Sequence, residues 1–482
     1  MKLYLYAILL SILFLGCKKN TNEANNNIAY LGGEIINPNN DFVVLSKYET
    51  VIDTIRLDGR NRFIYKIKNL EEGIYTFKHG GEYQMVLLEI NDSIMFRLNT
   101  FDFDESLVFT GLGGKKNNYL INEFLENEKN EKLLYKFCQL DPKEYISKID
   151  SISINKTKKL NAFQDKYATS DLFNNIAKNN NAYSYYFSKE VYPLWHYSKN
   201  KQEFFKSIPD DYYNFRKNVN YNNENLKNNI IYNTFLKSSF NTMAFEKHFE
   251  HSDDNKNSHR RMSLCYNLDR LNLIDSLVKN TYLKDELLYH FAVNYIPRSR
   301  NSENTDAILK SYLSKSKNED AKEMMIRFTS ALKNLEEGLV IPNVKILDYN
   351  NTEFDITSVI NSPTVISFWS HTFYDHFKDS HYKIKDLKAK YPEVKFIVIN
   401  IDDYGLEKPK KSLKNNRFSC TGEYYFKNPE GSIEVLAIHP MTKTMIIDKN
   451  KKIVDSNANM FSNRFEEQLL GLINRWFIPF IY

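Results

Sequence analysis

The sequence predicts a multidomain chain of mixed α+β and α/β class, built from a β-sandwich, a helical middle region and a C-terminal α/β unit. Three observations predict it. Short alternating apolar runs divided by turn residues occupy the first stretch, helix-period patterns replace them from about residue 117, and buried β-branched runs alternate with helical patterns after residue 338. With 482 residues, 42% of them hydrophobic and 14% aromatic, the chain has material for about three cores. Its 65 basic and 60 acidic residues nearly balance at net charge +5, and no dense basic block occurs, so nucleic acid is not an expected partner.

Residues 1–17 read as a lipoprotein signal peptide. Met1-Lys2 is a minimal charged start, and Leu3 to Leu15 is an apolar run too short to span a bilayer. Leu13-Phe14-Leu15-Gly16-Cys17 resembles the lipobox of bacterial lipoproteins, although Phe14 and Leu15 are bulkier than the usual choices. The resemblance implies cleavage before Cys17 and its diacylation. The alternative is an ordinary secretory leader with a chance cysteine. Residues 18–27 hold no core-forming residue and read as a tether. The expected location is the cell envelope, lipid-anchored, with the outer membrane facing the periplasm as the first reading and the inner membrane as the alternative; position 18 is Lys and not the Asp that retains some lipoproteins at the inner membrane. No later segment is apolar enough to span a bilayer, and residues 476–482 are apolar but too few.

Residues 28–114 carry the β pattern. Asp41 to Ser46, Thr54 to Leu57, Arg62 to Ile67, Gly73 to Phe77, Met85 to Ile90 and Ser93 to Leu98 are strand-like runs. Asn37-Pro38, Asp58-Gly59, Glu72-Gly73 and Asn91-Asp92 turn between them, which suggests a small sandwich. Leu70-Glu-Glu-Gly-Ile-Tyr75, the run from Phe103 to Gly114 and Asn117-Asn-Tyr-Leu120 resemble the N-terminal β-domain of Bacteroidota envelope lipoproteins. That resemblance implies architecture and no chemistry. Gly111-Leu-Gly-Gly114 is too short for a dinucleotide fingerprint and reads as a strand-to-helix turn.

Residues 115–336 read as helical. Asp141-Pro142 and Glu144 form a helix start ahead of Tyr145, Ile149 and Ile152, and further helices are expected at 267–279, 283–295 and 321–335. An aromatic group, Tyr183, Tyr185, Tyr186, Phe187, Tyr192, Trp195 and Tyr197, reads first as core or an inter-domain face and second as a ligand cleft.

Residues 338–482 hold the most informative pattern. Thr364 to Trp369 reads as a buried strand, Ser370-His371-Thr372 as a break, and a helix then starts near Asp375 with Phe377, Ile384 and Leu387 on its apolar face. A second buried strand is expected at Lys395 to Ile401, a helix at Glu407 to Asn416, a loop and hairpin from His439-Pro440 to Val454, and a closing helix from Phe461 to Trp476. Phe368-Trp369 and His439-Pro440 before Thr444 to Asp448 resemble the TlpA-like thiol–disulfide branch of the thioredoxin superfamily. The resemblance implies a thioredoxin-like α/β/α domain whose cis-Pro440 faces the loop after Trp369. It also locates the departure: where that family carries Cys-x-x-Cys, this chain reads Phe373-Tyr374-Asp375-His376. Disulfide exchange requires an attacking thiolate, so the family's chemistry does not carry over.

The expected site is therefore a former active loop and groove of Trp369, Phe373, Tyr374, Asp375, His376, His439 and Pro440, with no catalytic residue and no cofactor. The expected function is binding or scaffolding of an envelope protein or peptide. The competing class is an enzyme: a residual oxidoreductase using Cys420, or a metal-dependent activity at a histidine cluster with His371, His376 and His439 as weak ligands and Asp375, Asp379 and His381 beside them. The four cysteines, Cys17, Cys138, Cys265 and Cys420, are scattered without metal-ligand or CxxC spacing. Hydrolase and Walker motifs do not occur. The short patterns at Asp53, Asp92, Asp150 and Asp275 resemble O-glycosylation acceptors of the same bacterial group only weakly.

Overall fold

The computed structural model describes residues 27–47, 50–251, 262–299, 301–370, 373–403 and 407–474. Cys17, the tether apart from Asn27, and His371 lie outside them. Eight strands come first: β1 (Ala29–Ile36), β2 (Phe42–Lys47), β3 (Thr50–Arg56), β4 (Arg62–Ile67), β5 (Gly73–His79), β6 (Glu82–Leu88), β7 (Ser93–Asn99) and β8 (Val108–Leu112). They form two four-stranded sheets, ordered β4-β1-β7-β8 and β3-β2-β5-β6. Leu31, Phe63 and Phe96 from one sheet and Leu45, Phe77 and Val86 from the other share one core, as a sandwich requires.

Strand β1 is absent from the sequence reading because Gly32-Gly33 interrupts its apolar pattern. The glycines are there for close approach. A Cβ on Gly32 would meet Met95 Sδ at 2.6 Å, and one on Gly33 would meet the Phe96 ring at 2.8 Å. The β5–β6 part of the second sheet is covered on both faces, whereas β3 at its other edge is exposed. Alternation along β6 turns Val86 and Leu88 into the sandwich and Met85 and Leu87 toward the helices, where Ile74 of β5 joins them.

The middle region holds nine helices among the described residues: α1 (Gly114–Phe137), α2 (Pro142–Lys166), α3 (Asp171–Trp195), α4 (Lys201–Ser207), α5 (Ile230–His251), α6 (Leu264–Leu277), α7 (Thr281–Tyr295), α8 (Ser302–Lys315) and α9 (Glu319–Lys333). The Asp141 start is built as the sequence indicates, its carboxylate accepting from the Lys143 and Glu144 amides at 3.0 and 3.2 Å. Helix α5 escaped the sequence reading because it is central. Tyr232, Phe235, Leu236, Ser239, Phe240 and Thr242 are all buried, so no single apolar stripe marks it. Its Ser239 and Thr242 hydroxyls bond Glu190 of α3.

The last stretch alternates strands and helices: β9 (Lys345–Asp348), β10 (Glu353–Asp355), β11 (Thr364–Trp369), α10 (Tyr374–Lys390), β12 (Lys395–Asn400), α11 (Glu407–Asn415), β13 (Glu423–Phe426), α12 (Pro429–Val435), β14 (Thr444–Ile447), β15 (Ile453–Ala458) and α13 (Asn463–Asn474). One seven-stranded sheet runs β10-β9-β13-β12-β11-β14-β15. Central β11 is parallel to β12 and antiparallel to β14. All six residues of β11 are buried, which explains its continuous apolar run. Phe368 and Ile366 face a core shared with Ala331 and Leu335 at the end of the helical region, while Trp369 and Val365 face the core under α10.

Candidate functional site

The site is the break between β11 and α10. Phe373 is the half-exposed residue preceding the helix, and Asp375 and His376 lie in the first turn of α10. Tyr374 opens that helix, and its side chain is outside the described residues. Trp369 is fully buried, so it supports the loop from below and does not line an open groove. Its Nε1 donates to Glu423 Oε2 at 3.1 Å, and His381 Nε2 lies 3.2 Å from the other Glu423 oxygen. Phe377, His381 and Phe418 pack around the indole with centroids 4.6 to 5.6 Å apart. A wholly aromatic layer therefore stands under the loop, pinned to β13 by one buried carboxylate.

His376 stands where the resemblance puts the second cysteine. Its two ring nitrogens are buried without a hydrogen bond, and burial followed by the nearby His381 holds its pKa below the ordinary histidine value. A neutral imidazole is what a site near a helix N-terminus favours. The peptide bond between His439 and Pro440 is cis, in agreement with the sequence expectation. Burial and then the Arg298 charge lower the pKa of His439, and its ring meets Phe328 of α9 edge-on at 6.0 Å. His376 and His439 thus have different surroundings: the first has Asp379 and His381, the second has the helical region.

The loop's other face meets the β-sandwich. Lys78 Nζ lies 5.4 Å from the centroid of the Phe373 ring, a cation–π arrangement reached across the chain from the β5–β6 hairpin. At the far side of that hairpin Glu82 is exposed by area, yet its carboxyl is pushed up to about 7 by partial burial and then by Asp375, Asp104 and Glu105. An acid raised above its ordinary value favours the folded contact when protonated, and that contribution is lost as pH rises from 4.5 through about 7. Glu82→Gln is expected to raise the thermal unfolding midpoint at about pH 8 and leave it nearly unchanged at about pH 5. Equal midpoint shifts at both pH values would show that no such coupling to the loop exists.

Cys420 is exposed, and desolvation followed by the Glu423 carboxylate raises its thiol pKa. That is the opposite of an activated attacking thiol. Of the sequence's aromatic group, Tyr183 and Tyr192 are core, while Tyr185 and Phe187 help line a cavity of about 230 Å³ between α1, α2, α3 and α5. Several residues around the site gave no signal in sequence: Glu423, because a carboxylate in a short strand looks like a surface residue, and Lys78 and Glu82, because they arrive from another part of the chain. Lys443, just after the cis-proline, is another. It is buried, donates to the Leu436 and Ala437 carbonyls at 2.8 and 2.9 Å, and has its pKa lowered to about 7 by that burial.

No family model matches the chain, and no curated protein matches it. Solved structures do. A protein given as a thiol-disulfide oxidoreductase from Bacteroides vulgatus is 16% identical over 29% of this chain and 98% of its own, with a TM-score of 0.25. The thiol:disulfide interchange protein DsbE from Chlorobium tepidum is 16% identical over 29% of this chain and 99% of its own, with a TM-score of 0.26. A domain given as a thiol-disulfide isomerase from Cytophaga hutchinsonii is 18% identical over 30% of this chain and 96% of its own, with a TM-score of 0.26. These likenesses extend over less than a third of the chain and say nothing of its chemistry.

Proposed function

We propose that the chain is a membrane-tethered envelope lipoprotein whose C-terminal unit is a redox-inactive, thioredoxin-like scaffold for protein or peptide binding. The observation that carries this reading is the strand–break–helix at β11 and α10, intact in its buried aromatic support but with Phe373 and His376 in place of the two thiols. Two contacts support the scaffolding half. The β5–β6 hairpin reaches the loop through Lys78, and α9 reaches the proline loop through Phe328. The half-exposed Phe373 ring is the apolar contact left for a partner.

Thiol–disulfide exchange is expected to be absent. Insulin reduction with a small-molecule thiol as electron donor should run at the uncatalysed rate, and Cys420→Ser should leave it there. Turnover above that rate, lost on Cys420→Ser, would replace the scaffold with an oxidoreductase. A photo-crosslinker at position 373 tests the binding half. Adducts with a second envelope protein support binding in trans, adducts confined to residues near Lys78 support the scaffold alone, and adducts with neither remove the loop from the function.

A further inference from the structure

A second cluster lies in the helical region, away from the loop. Among the described residues, His248 near the end of α5 and Cys265 and Asp269 of α6 each bring one ligand atom to within 4.8 Å of the other two. Cys265 and Asp269 are one helical turn apart and share a face, and Cys265 Sγ lies 3.9 Å from Asp269 Oδ2. His248 and Asp269 are buried and Cys265 is partly so. The His248 ring packs edge-on against Tyr266 with centroids 6.3 Å apart, and the Tyr266 hydroxyl reaches the Asn241 carbonyl at 3.2 Å. Lys247 Nζ stands 3.9 Å from Asp269 Oδ1, while the Cys265 thiol is next to Oδ2.

We propose that His248, Cys265 and Asp269 form a binding site for one zinc-class divalent cation. The donor set selects the metal. Thiolate and imidazole are poor ligands for magnesium or calcium, which take oxygen, whereas zinc takes sulfur, nitrogen and carboxylate oxygen together. Zinc bonds of about 2.0 to 2.3 Å put tetrahedral ligand atoms roughly 3.3 to 3.7 Å apart. The observed Cys–Asp separation of 3.9 Å is close to that, and all three ligand atoms lie within 4.8 Å of one another. Binding releases the Cys265 thiol proton, leaves the fourth position to water, and ties the end of α5 to the start of α6.

The test is a titration of the full-length protein, free of tag histidines, with Co²⁺ and then Zn²⁺. One equivalent of Co²⁺ should bind with a thiolate-to-cobalt charge-transfer band, and Zn²⁺ should displace it. Cys265→Ser should abolish the band, Asp269→Asn should weaken binding at least about tenfold, and Cys420→Ser should change neither. Bound Co²⁺ without a charge-transfer band overturns the proposal in the unmodified protein, whether or not the variants fold. A band that survives Cys265→Ser, or that is lost with Cys420→Ser, overturns it as well, and so does an Asp269→Asn variant of undiminished affinity.

Discussion

Glu190→Ala is expected to destabilise the helical region by about 3–5 kcal/mol, the penalty for breaking one partner out of a buried ion pair. Glu190 is completely buried in α3. Its carboxylate receives two bonds from the Arg216 guanidinium, at 2.8 and 2.7 Å, and a third from Ser239 Oγ at 3.0 Å. Arg216 lies in a short 3₁₀ turn spanning Asn214–Asn218, and its remaining nitrogen reaches Glu246 of α5 at 2.7 Å. One guanidinium therefore joins α3, the turn and α5. Truncating Glu190 leaves that charge with a single, half-exposed partner. Replacing both members, Glu190→Leu with Arg216→Met, should cost less than either single change, because no uncompensated charge stays behind. Urea unfolding followed by far-ultraviolet circular dichroism measures both. An unchanged midpoint for Glu190→Ala would mean that the network contributes nothing to how these elements are held.

Cys17→Ser is expected to move the protein from the membrane fraction to the soluble fraction. The short apolar run, the Gly16-Cys17 pair and the polar residues 18–27 motivate it. A single acyl chain gives marginal, reversible attachment, and the diacyl group with a further amide-linked chain makes it stable. Among the described residues no helix is long and apolar enough to cross a membrane. Fractionation of envelope preparations gives the answer. A Cys17→Ser protein that is processed and sediments with membranes as before would rule out the lipid anchor.

Strands β11 and β12 and the first turn of α10 were legible because their signals are local, whereas the short β9 and β10 were not read. Thr364 to Trp369 is buried on both faces, so its apolar run is unbroken, and Phe377, Ile384 and Leu387 mark one helical face that is buried as expected. Strand β13 was missed because its four residues include Glu423, whose role depends on Trp369 and His381 from elsewhere. Among the described residues the cluster of possible metal-ligating groups is His248, Cys265 and Asp269, whose spacing carries no motif. Proximity between α5 and α6 is a tertiary fact, and no pattern of spacing encodes it.

The double-faced strands β5 and β6 tie the folding of the sandwich to that of the helical region. Val86 and Leu88 find their sandwich partners within the β region itself, but Leu87 and Ile74 face Leu120 of α1, Ile176 of α3 and Ile231 of α5. Until these helices have folded, the outer face of this hairpin lacks its cover. During that interval it is an apolar sheet surface open to water and to other chains. The sandwich therefore depends on the helical region for the cover of residues 73–88.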